Sequence, residues 1–258
     1  MLNIFYEHIL EGCAQCSIDT GRGLQRASNY GIQGLECDVK RLHDHEIKHL
    51  FDDNGMTVRS VYHTFAFESA TDEQIRNEYM DLFDTAAFFG AGKVLVVPGF
   101  NVENERTAAQ LDRICSDAVQ YGIQVGIEDY DDSHSPCCRS DDIAYLLDNV
   151  PALGFVFDTG NWAYALEDEI SSFRRFESRI MHVHLKDRTR TVQGERKDDM
   201  AGCPMYPCPF GSGFIRSREI LYALKTKGYD GDLSIEHFGS NDQFAYMKSS
   251  AVFIKENY

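Results

Sequence analysis

Short β-branched and aromatic runs alternate along this chain with longer amphipathic stretches. LNIFYE from Leu2 reads as a strand, and residues from about Ser17 to Tyr30 read as a helix. IQGLECDV from Ile32 is the next strand, followed by a helix from His45 that ends near Gly55. MTVRSVYHTF from Met56 is a third strand. The stretch from Asp72 to Phe89 places Ile75, Tyr79, Leu82 and Phe83 at helical spacing and stops at Gly90-Ala91-Gly92. KVLVVPG from Lys93 is almost continuously apolar, as in a parallel sheet covered on both faces. A helix over Asn104 to Tyr121, a strand from Ile123 and a helix over Asp141 to Asn149 follow. The strand LGFVFDTGN from Leu153 then leads into a helix over Trp162 to Glu177. The strand RIMHVHLKD from Arg179, the helix Ile215 to Lys227, the strand DLSIEHFG from Asp232 and the helix Phe244 to Asn257 complete the pattern.

Eight strand–helix units in this order predict an α/β protein with a parallel sheet. The length of 258 residues is close to the roughly 250 of a (β/α)8 TIM barrel. We expect one barrel domain over residues 1–258. An open doubly wound sheet would carry a Gly-rich phosphate loop after its first strand, whereas here that strand runs into Tyr6-Glu7-His8. The least regular segment runs from about Arg188 to Gly213, and a loop of that length in a compact domain is usually functional.

Composition narrows the function more than the fold. The formal net charge is −16 and no Lys/Arg-rich run offsets it, which argues against nucleic-acid and membrane partners. MLNIFYEHIL lacks a basic segment leading into a long apolar run, and no stretch approaches the ~18 apolar residues of a membrane span. A cytoplasmic chain with reduced thiols is therefore expected for the eight cysteines. Cys13 and Cys16 form a CxxC without a second pair at zinc spacing.

In a (β/α)8 barrel the C-terminal strand ends point into the active site. The polar groups there are Glu36-Cys37-Asp38 on the second strand, His63 on the third, Glu128-Asp129 on the fifth and Asp158 on the sixth. His182, His184, Lys186 and Asp187 follow on the seventh, and Glu236-His237 on the eighth. Ionisable groups on an interior face are costly unless paired. A metal held by Glu128, Asp158, His184 and Glu236 would pair them. Three carboxylates and one imidazole suit Mn²⁺, Mg²⁺, Co²⁺ or Zn²⁺ and leave positions open for substrate. The competing readings are a helix cap for Asp158, a barrel salt bridge from Glu236 to Lys186 or Arg59, and a core histidine for His184. Lys186 either neutralises an enediolate or pairs with Glu128 or Asp158. His63 either contacts substrate or is a core residue, and Tyr6 and Trp162 either wall the cavity or pack. His45 and His49 sit i,i+4 on an outer helix, where a solvated face is the simpler account.

The motifs GIEDY around Glu128, FDTGN around Asp158, HVHLKD around His184, and GSGFI…GYDGDLSIEHF from Gly211 to Phe238 resemble the xylose-isomerase-like superfamily. Its members include D-tagatose/D-psicose 3-epimerases, inosose isomerases and dehydratases, hydroxypyruvate isomerases and endonuclease IV. The resemblance implies one divalent metal on Glu128, Asp158, His184 and Glu236, with Glu128 and Glu236 also moving protons. It implies a substrate-binding role for Arg190, six residues after His184, with Arg188 as a competitor. The implied activity is a sugar or polyol isomerase or epimerase working through a metal-stabilised enediolate on a small-molecule substrate, in a chain that forms a homo-oligomer in some relatives. An inosose-type dehydratase on the same site is the alternative; an endonuclease-like or non-catalytic barrel ranks below both. Trp162 stands where epimerases carry a His, and DYDDSHSPCC lacks their second Glu, so the departure concerns the substrate and leaves the proposed ligands in place.

Overall fold

A computed structural model describes residues 1–258. The strands are β1 (Leu2–Phe5), β2 (Gly34–Asp38), β3 (Thr57–Thr64), β4 (Lys93–Val97), β5 (Gln124–Glu128), β6 (Gly154–Asp158), β7 (Ile180–Leu185), β8 (Asp187–Thr189), β9 (Lys197–Asp198), β10 (Pro204–Cys208) and β11 (Leu233–Ile235). β1 to β7 and β11 close a parallel barrel, with β11 seated between β7 and β1. The (β/α)8 expectation is met. Around the barrel run α1 (Tyr6–Cys16), α2 (Thr20–Asn29), α3 (Ile47–Asp53), α4 (Asp72–Phe89), α5 (Asn104–Ala118), α6 (Ser140–Asn149), α7 (Trp162–Ala165), α8 (Glu169–Phe176), α9 (Ser217–Thr226) and α10 (Gln243–Asn257).

Strand alternation sorts the side chains into two populations. Ile4, Leu35, Val61, Ile127, Phe155, Phe157, Val183, Leu185 and Ile235 are fully buried between the barrel and its helices. The opposite parity points into the barrel, where Leu95, Val97 and Val156 form a small apolar plug. Helix ends follow local chemistry. Thr71 and Gln74 form a reciprocal capping box at the start of α4, and Gly90 closes it at φ 74°.

Three elements differ from the sequence pattern. The first strand stops at Phe5 and Tyr6 opens α1, a helix the pattern does not predict, which closes where Ser17 adopts φ 53°; the helix expected from Ser17 to Tyr30 is α2, capped by Asp19. The helix expected over Trp162 to Glu177 breaks at Leu166, φ 60°, and restarts where Asp168 accepts from the Ser171 N–H. The irregular segment after β7 contains an antiparallel sheet in the order β8-β10-β9. No helix is long and apolar enough to cross a membrane.

The N-terminal end of the barrel carries a structural ion cluster. Asp232, just before β11, lies 3.1 Å from Lys93 Nζ, 3.3 Å from Arg59 Nη2 and 3.5 Å from the N-terminal amine. Burial alone would raise its carboxyl, but Lys93 and Arg59 outweigh that and hold it below the usual range. A depressed folded pKa contributes stability above the unfolded value of ~3.9, and that contribution is lost as pH falls through the folded value. Asp232→Asn is therefore expected to cost about 2 kcal/mol at neutral pH, less than a fully buried pair because Arg59 is partly solvated. Urea unfolding of both proteins should show this gap at pH 7 and a narrowed gap at pH 3. A gap independent of pH would assign the loss to packing.

Candidate metal centre and substrate cavity

At the opposite, C-terminal end of the barrel, β5, β6, β7 and β11 deliver Glu128, Asp158, His184 and Glu236 to one point. Each offers an oxygen or ring nitrogen within 4.8 Å of the others, and all four are buried. His184 Nδ1 lies 2.9 Å from Glu128 Oε1 and 3.2 Å from Glu236 Oε2. The DTGN loop sets the geometry on one side. Asp158 Oδ1 accepts from the backbone N–H groups of Gly160 (2.6 Å) and Asn161 (2.9 Å), while Oδ2 faces the centre. Capping and site roles are thus divided between two oxygens of one carboxylate. A Cβ at Gly160 would sit 2.9 Å from Lys186 Cγ, so glycine there admits the lysine stem.

Lys186 crosses the floor of the site. Its Nζ contacts Glu236 Oε1, lies 3.1 Å from Asp158 Oδ2 and donates to Asn161 Oδ1 at 2.7 Å. Asn161 in turn donates to the backbone carbonyl of Asp129 at 2.7 Å and reaches Glu128 Oε1 at 3.4 Å. Asp129 accepts from the Asp158 N–H at 2.8 Å.

Burial and neighbours split these acids. Burial pushes Asp158 up to about 8 against the pull of Lys186. Burial likewise raises Glu128, with His184 opposing it, and raises Asp129 strongly, reinforced by Asp158 and Glu128. Burial also acts against ionised Glu236, yet Lys186 and His184 hold it well below the carboxylate range. Burial disfavours charge on His184 and Lys186, but facing carboxylates raise both.

A feature of the floor escaped the sequence reading as a site residue. Glu36, fully buried on β2, places Oε2 2.8 Å from His182 Nε2, 3.1 Å from His184 Nε2 and 2.8 Å from Ser234 Oγ. Its strand-end position was visible, but its partners lie 146 and 198 residues away. With Glu36, Glu128, Asp158 and Glu236 ionised, Lys186 and a protonated His184 leave two negative charges uncompensated. Asp158 Oδ2 and Glu236 Oε2 make no well-aligned hydrogen bond, meeting only Lys186 Nζ at 3.1 Å and His184 Nδ1 at 3.2 Å. This donor set fits a divalent cation with oxygen and nitrogen preference.

Above the centre is a cavity of about 550 Å³. Phe5, Tyr62, Tyr130 and Phe238 supply aromatic walls, and Glu128, Glu236, Lys186 and Arg188 reach it from the floor and side. Three expected contacts fall elsewhere. Arg190 turns away: it bonds the Pro204 carbonyl at 2.8 Å and Asp199 at 3.1 Å, and stacks on Phe214. Arg188, within β8, reaches the cavity instead, where it pairs with Asp131 at 2.7 Å, whereas Arg190 lies beyond the end of that strand. His63 has the parity opposite to Tyr62 and Thr64; it faces α4, bonds Glu78 at 3.3 Å and packs edge-on against Phe65. Tyr6, on the first turn of α1, packs against Phe51 rather than substrate space. Trp162 is core, between Phe157 and Phe176. Asp187 is a loop anchor, accepting from the backbone N–H groups of Gly211, Gly213 and Ile215. Cys13 and Cys16 carry free thiols on α1.

A closed parallel barrel with an acid–imidazole cluster under an open cavity at its C-terminal mouth defines a TIM barrel whose site lies at the strand ends. The family described as xylose isomerase-like TIM barrel matches residues 24–257, and the chain belongs to it. It is 26% identical over 233 residues to an inosose dehydratase of Lacticaseibacillus casei, covering 80% of this chain and 78% of that protein. Its fold is similar to a probable 3-DHS dehydratase from Bacillus anthracis, with TM-score 0.79, 17% identity and 98% coverage of both chains. It is also similar in fold to a D-allulose 3-epimerase from Methylomonas sp., with TM-score 0.75 and 14% identity over 100% of this chain and 97% of that one.

Proposed function

We propose that this chain is a divalent-metal-dependent enzyme that removes the proton beside the carbonyl of a small polyhydroxylated ketone. The observation that carries the reading is the convergence of Glu128, Asp158, His184 and Glu236 on one point beneath the cavity. When bound there, a divalent ion would supply charge stabilisation to the oxygens of the ketone and its neighbouring hydroxyl. Glu128 and Glu236 line the cavity from different strands and serve as the base and the acid. Glu236, kept ionised by Lys186 and His184, is the resting base. Glu128, which burial raises above the usual carboxylate value, takes the complementary acid role. Lys186 holds Glu236 and Asp158 in place, and Arg188 with Asp131 offers polar contacts to substrate hydroxyls at the rim.

Two fates follow the first proton transfer. Return of the proton to the same carbon from the other face, or to its neighbour, gives an epimerase or isomerase. Expulsion of a hydroxyl gives a dehydratase. The second is favoured by the relation to the inosose dehydratase and by the sequence, where Trp162 stands in place of the epimerase His and DYDDSHSPCC carries no second Glu.

Incubation of Mn²⁺-loaded protein with inososes and keto-sugars in deuterated water, followed by mass spectrometry, separates these fates. Loss of one water identifies the dehydratase. Deuterium uptake without loss of water identifies the isomerase or epimerase. EDTA should abolish either signal and Mn²⁺ or Co²⁺ should restore it. Absence of both exchange and water loss across the panel in metal-loaded protein would sink the proposal.

A further inference from the structure

We infer that Glu36 is a positioning residue that fixes which nitrogen His184 presents to the metal: Glu36 takes the Nε2–H, leaving Nδ1 as the ligand. This rests on the proposed role of His184 in holding the ion. The two ring nitrogens face different surroundings. Nδ1 looks toward Glu128 Oε1 and Glu236 Oε2 at 2.9 and 3.2 Å, on the side where the other ligands converge. Nε2 looks away from that point, 3.1 Å from Glu36 Oε2.

A neutral imidazole has one N–H and one lone pair. Both nitrogens face carboxylate oxygens, Nδ1 at 2.9 Å and Nε2 at 3.1 Å, so an ion held among the four converging groups would take the Nδ1 lone pair and leave the proton on Nε2, facing Glu36 Oε2. The same oxygen is approached by His182 Nε2 and Ser234 Oγ, each at 2.8 Å. Three donors thus converge on a single carboxylate oxygen from β7 and β11, while the carboxylate itself comes from β2 across the barrel. The second oxygen, Oε1, is buried without a partner, so the network's hold on Glu36 runs through Oε2 alone. Phe5 closes edge-on over the His184 ring at 5.0 Å, which leaves little room for a ring flip. A carboxylate behind a metal-binding imidazole orients the ring and increases its basicity as a ligand.

The same residues admit a rival arrangement. Glu36, His182 and His184 each offer an atom within 4.8 Å of the others and form a second potential ion site. Ser234 Oγ already donates to the same Glu36 oxygen at 2.8 Å, and neither Glu36 nor His182 lines the cavity, which favours protons over an ion between the three.

The test combines calorimetric titration with Mn²⁺ and imidazole nitrogen NMR of Zn²⁺-loaded protein. We expect one ion per wild-type chain. We expect E36Q to weaken Mn²⁺ binding by about 10–100-fold, and S234A, which removes one of three donors, to weaken it less. NMR of the wild-type protein should show His184 protonated on Nε2 and metal-bound through Nδ1, a readout that needs no variant to fold. Unchanged Mn²⁺ affinity in folded E36Q, His184 bound through Nε2, or two ions per chain would each overturn the inference while leaving the metal centre standing. A wild-type chain that binds no ion would overturn the centre and the inference together.

Discussion

Glu236→Gln should lower substrate deuterium exchange by about 10³-fold. Positioned general acid–base groups contribute roughly 10²–10⁴-fold, and Glu236 combines that role with ligation. Its carboxylate is buried, contacts Lys186 through Oε1, and turns Oε2 toward His184 without a well-aligned hydrogen bond. Glutamine keeps the volume but carries no negative charge and is no base. The loss should fall on kcat more than on KM, because Arg188, Tyr62 and Tyr130 also line the cavity and are left in place. Metal content measured on the same sample separates the two duties. A variant that retains the ion but loses exchange identifies Glu236 as the base. Exchange within about tenfold of wild type in a metal-loaded sample would remove it from that role.

Lys186→Met should destabilise the metal-free protein by about 3–5 kcal/mol, the usual cost of removing one partner from a buried charge cluster. The ammonium is buried against Glu236, Asp158 and Asn161. Protonation of Asp158, already pushed up to about 8, will absorb part of the cost at neutral pH. Saturating Mn²⁺ should narrow the gap, because the ion offers positive charge to the same carboxylates and stabilises the folded state by mass action. Urea unfolding with EDTA and with Mn²⁺ reads both quantities. An equal deficit in both conditions would place the ion away from Asp158 and Glu236.

Most of the barrel was legible because each inner strand carries strong local patterning. KVLVV could only be a covered strand, and DTGN after FVF marked a strand end. Where patterning failed, a single residue decided. Leu166 adopts the left-handed region, a choice its side chain does not announce, and divides an expected helix, while Ser17, also left-handed, closes an α1 that the pattern does not predict. The four converging strand-end groups were also legible, since parity and strand order fix them locally. Contacts that depend on pairing across the barrel were not. Glu36 meets His182, His184 and Ser234 only once the barrel closes. The resemblance favoured Arg190, six residues after His184, but it cannot show that β8 ends at Thr189 and that Arg190 beyond it is taken up by Asp199 and the Pro204 carbonyl. The parity of β3 sends His63 outward, and the early start of α1 removes Tyr6 from the cavity.

The small sheet after β7 separates what the protein recognises from what keeps it folded. Glu195, Arg196 and Lys197 reach the cavity from the β8–β9 connection and β9. The frame beneath is pinned by Asp187, whose oxygens collect the N–H groups of Gly211, Gly213 and Ile215. At Gly213 a Cβ would lie 2.2 Å from the Arg188 carbonyl oxygen, so the pin tolerates no side chain there. The rim thus hangs from a socket held by one buried carboxylate. Substitutions at residues 195–197 would reshape the cavity mouth while leaving the Asp187 contacts in place.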